Sequence, residues 1–182
     1  MTWFTVLVLA VGLERLAELV VSKRNAAWSF ARGGVESGQR HFVFMVVLHT
    51  GLLIGALVEV LVLDPPFVPA LGWTMLALVL ASQALRWWCI AALGHQWNTR
   101  VIVVPGLPRI TGGPYRFFSH PNYVAVVVEG FALPLVHSAW ITAAVFTVLN
   151  AVLLTVRLRV ENEALASLHA TSSSGAVSEA AS

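Results

Sequence analysis

"GGPYRFFSHPNYVAVVVEGFALPLVHSAW" (Gly112–Trp140) sets a group of polar side chains at the mouth of an apolar run and then turns the chain. Tyr123 to Val136 is apolar for only about 14 residues, roughly 20 Å of helix, which is short of the ~30 Å hydrocarbon core of a bilayer. Ala139 to Leu158 follows as an apolar run of full spanning length. The stretch therefore predicts a tight helical hairpin whose first arm is short or broken. Tyr115, Arg116, His120, Asn122 and Tyr123 gather at its mouth.

The composition places that hairpin in an all-α integral membrane protein. The 182 residues are 58% hydrophobic and only 11% charged, with a mean hydropathy of +0.79; soluble domains are nearer one quarter charged. Outward from the hairpin, Trp3–Val21, Phe42–Leu63 and Ala70–Leu93 read as further spans, giving about five transmembrane helices in all. The prolines of "LDPPFVP" (Leu63–Pro69) break the chain between the second and third. Lys23, Arg24, Arg32 and Arg40 fall in the polar segment Ser22–Arg40, and Arg100, Arg109 and Arg116 in the acid-free segment Gly94–Asn122. By the positive-inside rule both segments are cytoplasmic, with the N-terminus outside and the C-terminus inside. Residues 1–170 read as a single transmembrane domain and the Ala/Ser-rich segment 171–182 as an unstructured tail. Cys89 is the sole cysteine, which excludes an intrachain disulfide.

Charges inside spans carry information because lipid cannot solvate them. Glu14, Arg15 and Glu18 share a region of the first span. They either orient the helix at the membrane surface or pair within the bundle. The second span holds His49 and Glu59, and the third holds Gln83 and Arg86. His49 and His137 stand singly and read as core or interface residues. No His, Cys or acidic pair has a metal-ligand spacing, no nucleotide-binding fingerprint is present, and no nucleic-acid partner is expected. A haem- or quinone-binding subunit is the alternative from a different class. It would call for histidines deep in facing spans, where only His49 qualifies.

The segment Gly94–Asn122 is too long for a plain connection and too aromatic for disorder, which makes it the expected site. His120 is restrained by Pro121. At the far end of the hairpin, Arg157 with Glu161 and Arg159 with Glu163 form i,i+4 pairs as the last span leaves the membrane. They read either as a snorkelling helix exit or as the other half of the site.

"GGPYRFFSHPNY" followed by a short arm, a hairpin and "RLRVENEAL" resembles the isoprenylcysteine carboxyl methyltransferase family of integral membrane enzymes. The N-terminal "ERLAEL" and "KRN", with "WNTRVIVVPG" (Trp97–Gly106), are similar to a bacterial branch linked to O-methylation of alkylpyrones and phenolic lipids made by type III polyketide synthases. The resemblance implies an S-adenosyl-L-methionine-dependent O-methyltransferase that binds its cofactor without a Rossmann domain. Matched residue by residue, cofactor contacts fall on Leu107, Pro108, Arg109 and Ile110, on Tyr115, on His120, Pro121, Asn122 and Tyr123, and on Glu161. Arg157 matches the arginine that faces the acceptor, and with Glu161 makes up the implied catalytic pair. Ser119 stands where the family commonly has arginine, and Asn162 replaces the second acid of its Glu-Glu pair. The implied setting is the bacterial inner membrane, with the active site facing the cytoplasm. Implied partners are a lipophilic acceptor, the bilayer, and a functional link to a type III polyketide synthase.

Overall fold

The computed structural model describes residues 2–108 and 110–179, with side chains except at 39–41 and 164–179. Among the described residues the α-helices are α1 (Thr2–Phe30), α2 (Gln39–Leu63), α3 (Pro69–Leu93), α4 (Pro121–Leu135) and α5 (Trp140–Glu179). Two short strands, β1 (Val35–Ser37) and β2 (Val101–Val103), pair antiparallel with Glu36 opposite Ile102. The architecture is that of an all-α membrane protein. Phe42–Leu63, Pro69–Gln96 and Trp140–Glu163 are long and apolar enough to cross a bilayer, close to the bounds expected from the hydropathy runs. Leu61 and Val62 on α2, and Val148 and Val152 on α5, are exposed, as lipid-facing surfaces are in such a bundle.

Proline sets the boundaries. Pro69 opens α3 and Pro121 opens α4, where a missing N–H costs nothing. Pro134 lies in the last turn of α4, and the chain reverses through Ser138, which adopts a left-handed φ of 56°. At 15 residues α4 is the short arm of the hairpin. It packs closely on α5: a Cβ added at Gly130 would lie 2.0 Å from Cε1 of Phe146. At one end of the bundle Phe4, Val8 and Val11 of α1 pack with Val60, Val79, Leu133 and Val136 in a continuous apolar core.

Two boundaries differ from the sequence expectation. The first helix does not end at Val21 but runs on to Phe30. Its continuation buries Ser22, Asn25 and Ser29 in line with Glu18, a polar stripe at helical spacing. Ser22 and Asn25 bond to the loop after α3, so the stripe faces protein rather than water. At the other end α5 is helical through Glu179, where the composition from Thr171 onward predicts a tail without structure. Extending an existing helix avoids the unfavourable nucleation step, and alanine favours it.

Glu14, Arg15 and Glu18 turn inward. Arg15 donates to Glu18 at 2.8 Å and to Glu129 of α4 at 3.2 Å. Arg86 of α3 donates to the same Glu129 oxygen at 2.5 Å. Glu14 accepts from Gln83 and, at 2.5 Å, from Nε1 of Trp87. Glu18, Arg86 and Glu129 are all buried. One ionic cluster therefore ties α1, α3 and α4 together, and interior pairing is the arrangement found. Glu59 acts elsewhere, at the start of α5. Its carboxylate, carried by α2, accepts from the backbone N–H groups of Ile141 and Thr142 and so caps that helix.

Arg86→Met or Glu129→Leu alone leaves a charge stranded in an apolar bundle and is expected to cost about 3–5 kcal/mol. The double variant Arg86→Met/Glu129→Leu removes both charges and is expected to recover most of that loss. Thermal unfolding of the purified protein in detergent measures both effects; equal, additive losses would contradict the pairing.

Candidate functional site

The hairpin brings the two ends of its arms together. His120 occupies the N-cap position of α4, and one turn on Tyr123 stacks its ring on the imidazole, with centroids 5.4 Å apart and planes 16° apart. From α5, Arg157 donates through Nε to the Tyr123 hydroxyl at 3.0 Å, and that hydroxyl donates in turn to Glu161. The other Glu161 oxygen lies 3.7 Å from Nδ1 of His120. Arg157 and Glu161, expected as a direct i,i+4 pair, are thus joined through Tyr123. No Arg159–Glu163 ion pair forms among the described residues, and Arg159 is exposed. The remaining reach of Arg157 is to the thioether sulfur of Met45 on α2, 2.8 Å from Nη1. Sulfur is a weak acceptor for a guanidinium.

These groups stand on the wall of a cavity of about 740 Å³, within the range of small-molecule sites. Leu107, Pro108, Ile110, Tyr115, His120, Asn122, Tyr123, Arg157 and Glu161 all line it. Pro121 does not: it is fully buried beneath the wall, and its contribution is to start α4. Arg109 lies outside the described residues. Ser119, the departure from the family's arginine, also lines the cavity.

Local chain geometry sets Tyr115. Gly113 has φ 60°, and a Cβ there would sit 2.9 Å from Cβ of Ala92, so only glycine lets this turn lie against α3. The turn places the Tyr115 hydroxyl against the Cys89 thiol. Burial, then the Cys89 and Glu161 charges, push the Tyr115 phenol above the usual tyrosine range. It stays protonated at any working pH and serves as a hydrogen-bonding group, not as a base.

The structure adds wall residues that were not among the expected cofactor contacts. Trp97 and Asn98, on the loop after α3, line the cavity beside β2, and Ser29 reaches it from the extended α1. Asn25 holds this loop by donating to the carbonyls of Trp97 at 2.7 Å and Gly94 at 3.1 Å. Among the described residues, the wall residues Trp97, Asn98 and Asn122 each keep a buried side-chain atom (Nε1, Nδ2 and Oδ1) without a hydrogen-bond partner. Each such orphan costs about 1–3 kcal/mol. The signal available in the sequence was the polar run His95–Arg100 ahead of the valine-rich Val101–Val104.

His49 and His137 sit away from this cavity. His49 bonds the Met45 carbonyl at 2.8 Å and meets the edge of Phe146. His137 is buried among Trp3, Phe4 and Phe67.

Residues 75–167, which hold most of α3, the cavity loop, α4 and the site turn of α5, match the isoprenylcysteine carboxyl methyltransferase (ICMT) family. The chain is 36% identical over 166 residues to a Bacillus subtilis (strain 168) protein named as uncharacterized protein YpbQ, covering 91% of this chain and 96% of that one. It is 23% identical over 155 residues to an uncharacterized Haemophilus influenzae protein, covering 85% and 90% respectively. No solved structure matches it. The membrane-spanning helices, the motif-bearing cavity and the extent of these matches agree: the chain belongs to the isoprenylcysteine carboxyl methyltransferase family, a family of membrane methyltransferases.

Proposed function

We propose that this protein is an S-adenosyl-L-methionine-dependent O-methyltransferase with a lipophilic acceptor, in the first place a polyketide-derived alkylpyrone or phenolic lipid. The observation that carries the reading is the convergence of Tyr123, Arg157 and Glu161 on one cavity at the end of the α4–α5 hairpin. The cavity walls fit such a donor. Glu161 offers a carboxylate to its amino group, Asn122 Oδ1 is a buried acceptor in need of an N–H, and Leu107, Pro108 and Ile110 supply apolar contact. When bound, the sulfonium supplies an electrophilic methyl carbon for in-line displacement by an oxygen nucleophile.

The chain's own residues supply position and charge. Arg157 brings a guanidinium to the wall. Its Nη1 is spent on a soft sulfur, an interaction that an acceptor oxyanion would replace with gain. Tyr123 fixes the guanidinium from one side, and Glu161 fixes Tyr123. Orientation of this kind accounts for much of the rate advantage of a bimolecular reaction on an enzyme. An enolic pyrone hydroxyl ionises readily, whereas a resorcinol phenol with a pKa of about 10 needs more help from Arg157.

The membrane setting suits both reactants. An alkyl chain partitions into lipid at about 0.8 kcal/mol per buried methylene, while the donor is water-soluble. We place the site at the cytoplasmic face of the bacterial inner membrane, since Arg24, Arg32, Arg100 and Arg116 crowd on its side. The preference for a polyketide acceptor, and with it a link to a type III polyketide synthase, rests on the resemblance of the N-terminal half to that bacterial branch.

Membranes incubated with methyl-radiolabelled S-adenosylmethionine and alkylpyrones, alkylresorcinols or prenylcysteines test this directly. Label is expected in the alkylpyrone or resorcinol; label only in the prenylcysteine would move the acceptor to the isoprenylcysteine class. Both His120→Ala and Arg157→Ala are expected to abolish transfer, with donor affinity falling mainly in the His120 variant. Undiminished turnover in both would remove the site assignment. Tyr123→Phe deletes the hydroxyl between Arg157 and Glu161 and is expected to lower kcat/KM by about ten- to hundredfold, as kinetics on detergent-solubilised enzyme would measure.

A further inference from the structure

The turn ahead of α4 has two sides. Tyr115, Ser119 and His120 line the cavity, while the three residues between them, Arg116, Phe117 and Phe118, do not. All three are exposed, Phe117 at 63% and Phe118 at 50%. Two neighbouring phenylalanines left in water forgo the gain of burying them, so such a surface marks a contact. The Arg116 guanidinium lies 5.0 Å from the centre of the Phe117 ring and forms no ion pair among the described residues.

The level of the turn says what that contact is. Gly113, at its start, lies so close to α3 that an added Cβ would be 2.9 Å from Cβ of Ala92 and 3.3 Å from Nε1 of Trp88. At ~1.5 Å per residue, Trp88 and Ala92 lie about 28 and 34 Å along α3 from Pro69, which opens that span. These heights bracket the ~30 Å thickness of a hydrocarbon core, so the turn stands at the boundary between lipid tails and headgroups. Trp87 and Trp88 are exposed at the same level, and α4, which starts three residues after Phe118, exposes Val124 and Val127. Aromatic side chains collect at this boundary, and a guanidinium there meets phosphate, which it binds through paired hydrogen bonds.

We infer that Arg116, Phe117 and Phe118 form a lipid-binding rim that takes an anionic phospholipid, with the phenyl rings among the first acyl methylenes and the guanidinium on the headgroup phosphate. The rim ties the outer side of the turn to the bilayer while its inner side forms cavity wall.

Depth and headgroup preference test this on the full-length protein. Cys89 is fully buried, so nitroxides attach selectively at Phe117→Cys and Phe118→Cys. In phosphatidylglycerol-containing bilayers both labels are expected to be relaxed more by oxygen than by a water-soluble nickel chelate. Greater access to the chelate would place the rim in water, and access to neither would mean that protein covers it; either result overturns the inference. Native mass spectrometry with equal phosphatidylglycerol and phosphatidylcholine is expected to show a preference of more than about fivefold for the anionic lipid. Arg116→Gln is expected to lower that preference by about fivefold and Arg116→Lys to keep it within about twofold. No preference in the wild-type protein, or an undiminished one in Arg116→Gln, would overturn the headgroup contact.

Discussion

A carboxylate or guanidinium inside a lipid-embedded bundle has no water to turn to, so it dictates which helices touch. Arg15 and Glu18 of α1, Arg86 of α3 and Glu129 of α4 pair with one another, with Glu14 at the edge of the cluster. This matters most for α4, which is too short to cross a bilayer and cannot be positioned by hydropathy alone. Two cations bind its one acid, Glu129, and the close approach of Gly130 to Phe146 seats it on α5. Six residues before Glu129, about 9 Å along the same helix, stands Tyr123. The charges in mid-bundle and the polar groups at the mouth of the hairpin are therefore fixed by one rigid element.

The site is built where three separate stretches of chain are forced together. Pro121 starts α4 and leaves His120 at its cap; Arg157 and Glu161 arrive from α5 one turn apart; the loop after α3 closes the cavity and is held by the polar stripe of α1 and by the β1–β2 pair. The chemistry that follows is a division of labour. Residues of α4 and of the loop offer hydrogen bonds and apolar wall, while Arg157 offers a positive charge whose Nη1 now meets a thioether. Such an arrangement binds and orients well, which suits an acceptor oxygen that ionises easily.

Much of this was legible in the sequence because lipid imposes a simple pattern. The apolar runs gave Phe42–Leu63 unchanged and the spans of α3 and α5 within about five residues, and Pro69 and Pro121 marked helix starts as their missing N–H requires. The polar cluster at Tyr115, His120, Asn122 and Tyr123 was visible because polar residues are rare in so apolar a chain. What stayed hidden depends on partners distant in sequence. The role of Glu129 depends on Arg15 and Arg86, which lie 114 and 43 residues away in sequence. Ser22, Asn25 and Ser29 read as loop, since polarity in a membrane protein signals water unless the facing surface is known. Arg157 and Glu161 had the spacing of a helix-surface pair, but Tyr123 comes between them. Pro121 fits the motif, yet it acts from beneath the cavity wall.

The central claim is that the loop after α3 and the paired ends of α4 and α5 enclose one sulfonium donor. Ultraviolet cross-linking of radiolabelled S-adenosylmethionine to the purified protein, followed by peptide mapping, asks this without requiring the acceptor. The account predicts label within residues 97–123 and 157–161, displaced by excess S-adenosylhomocysteine. Label confined to α1 and α2, or label that the competitor does not displace, would contradict it.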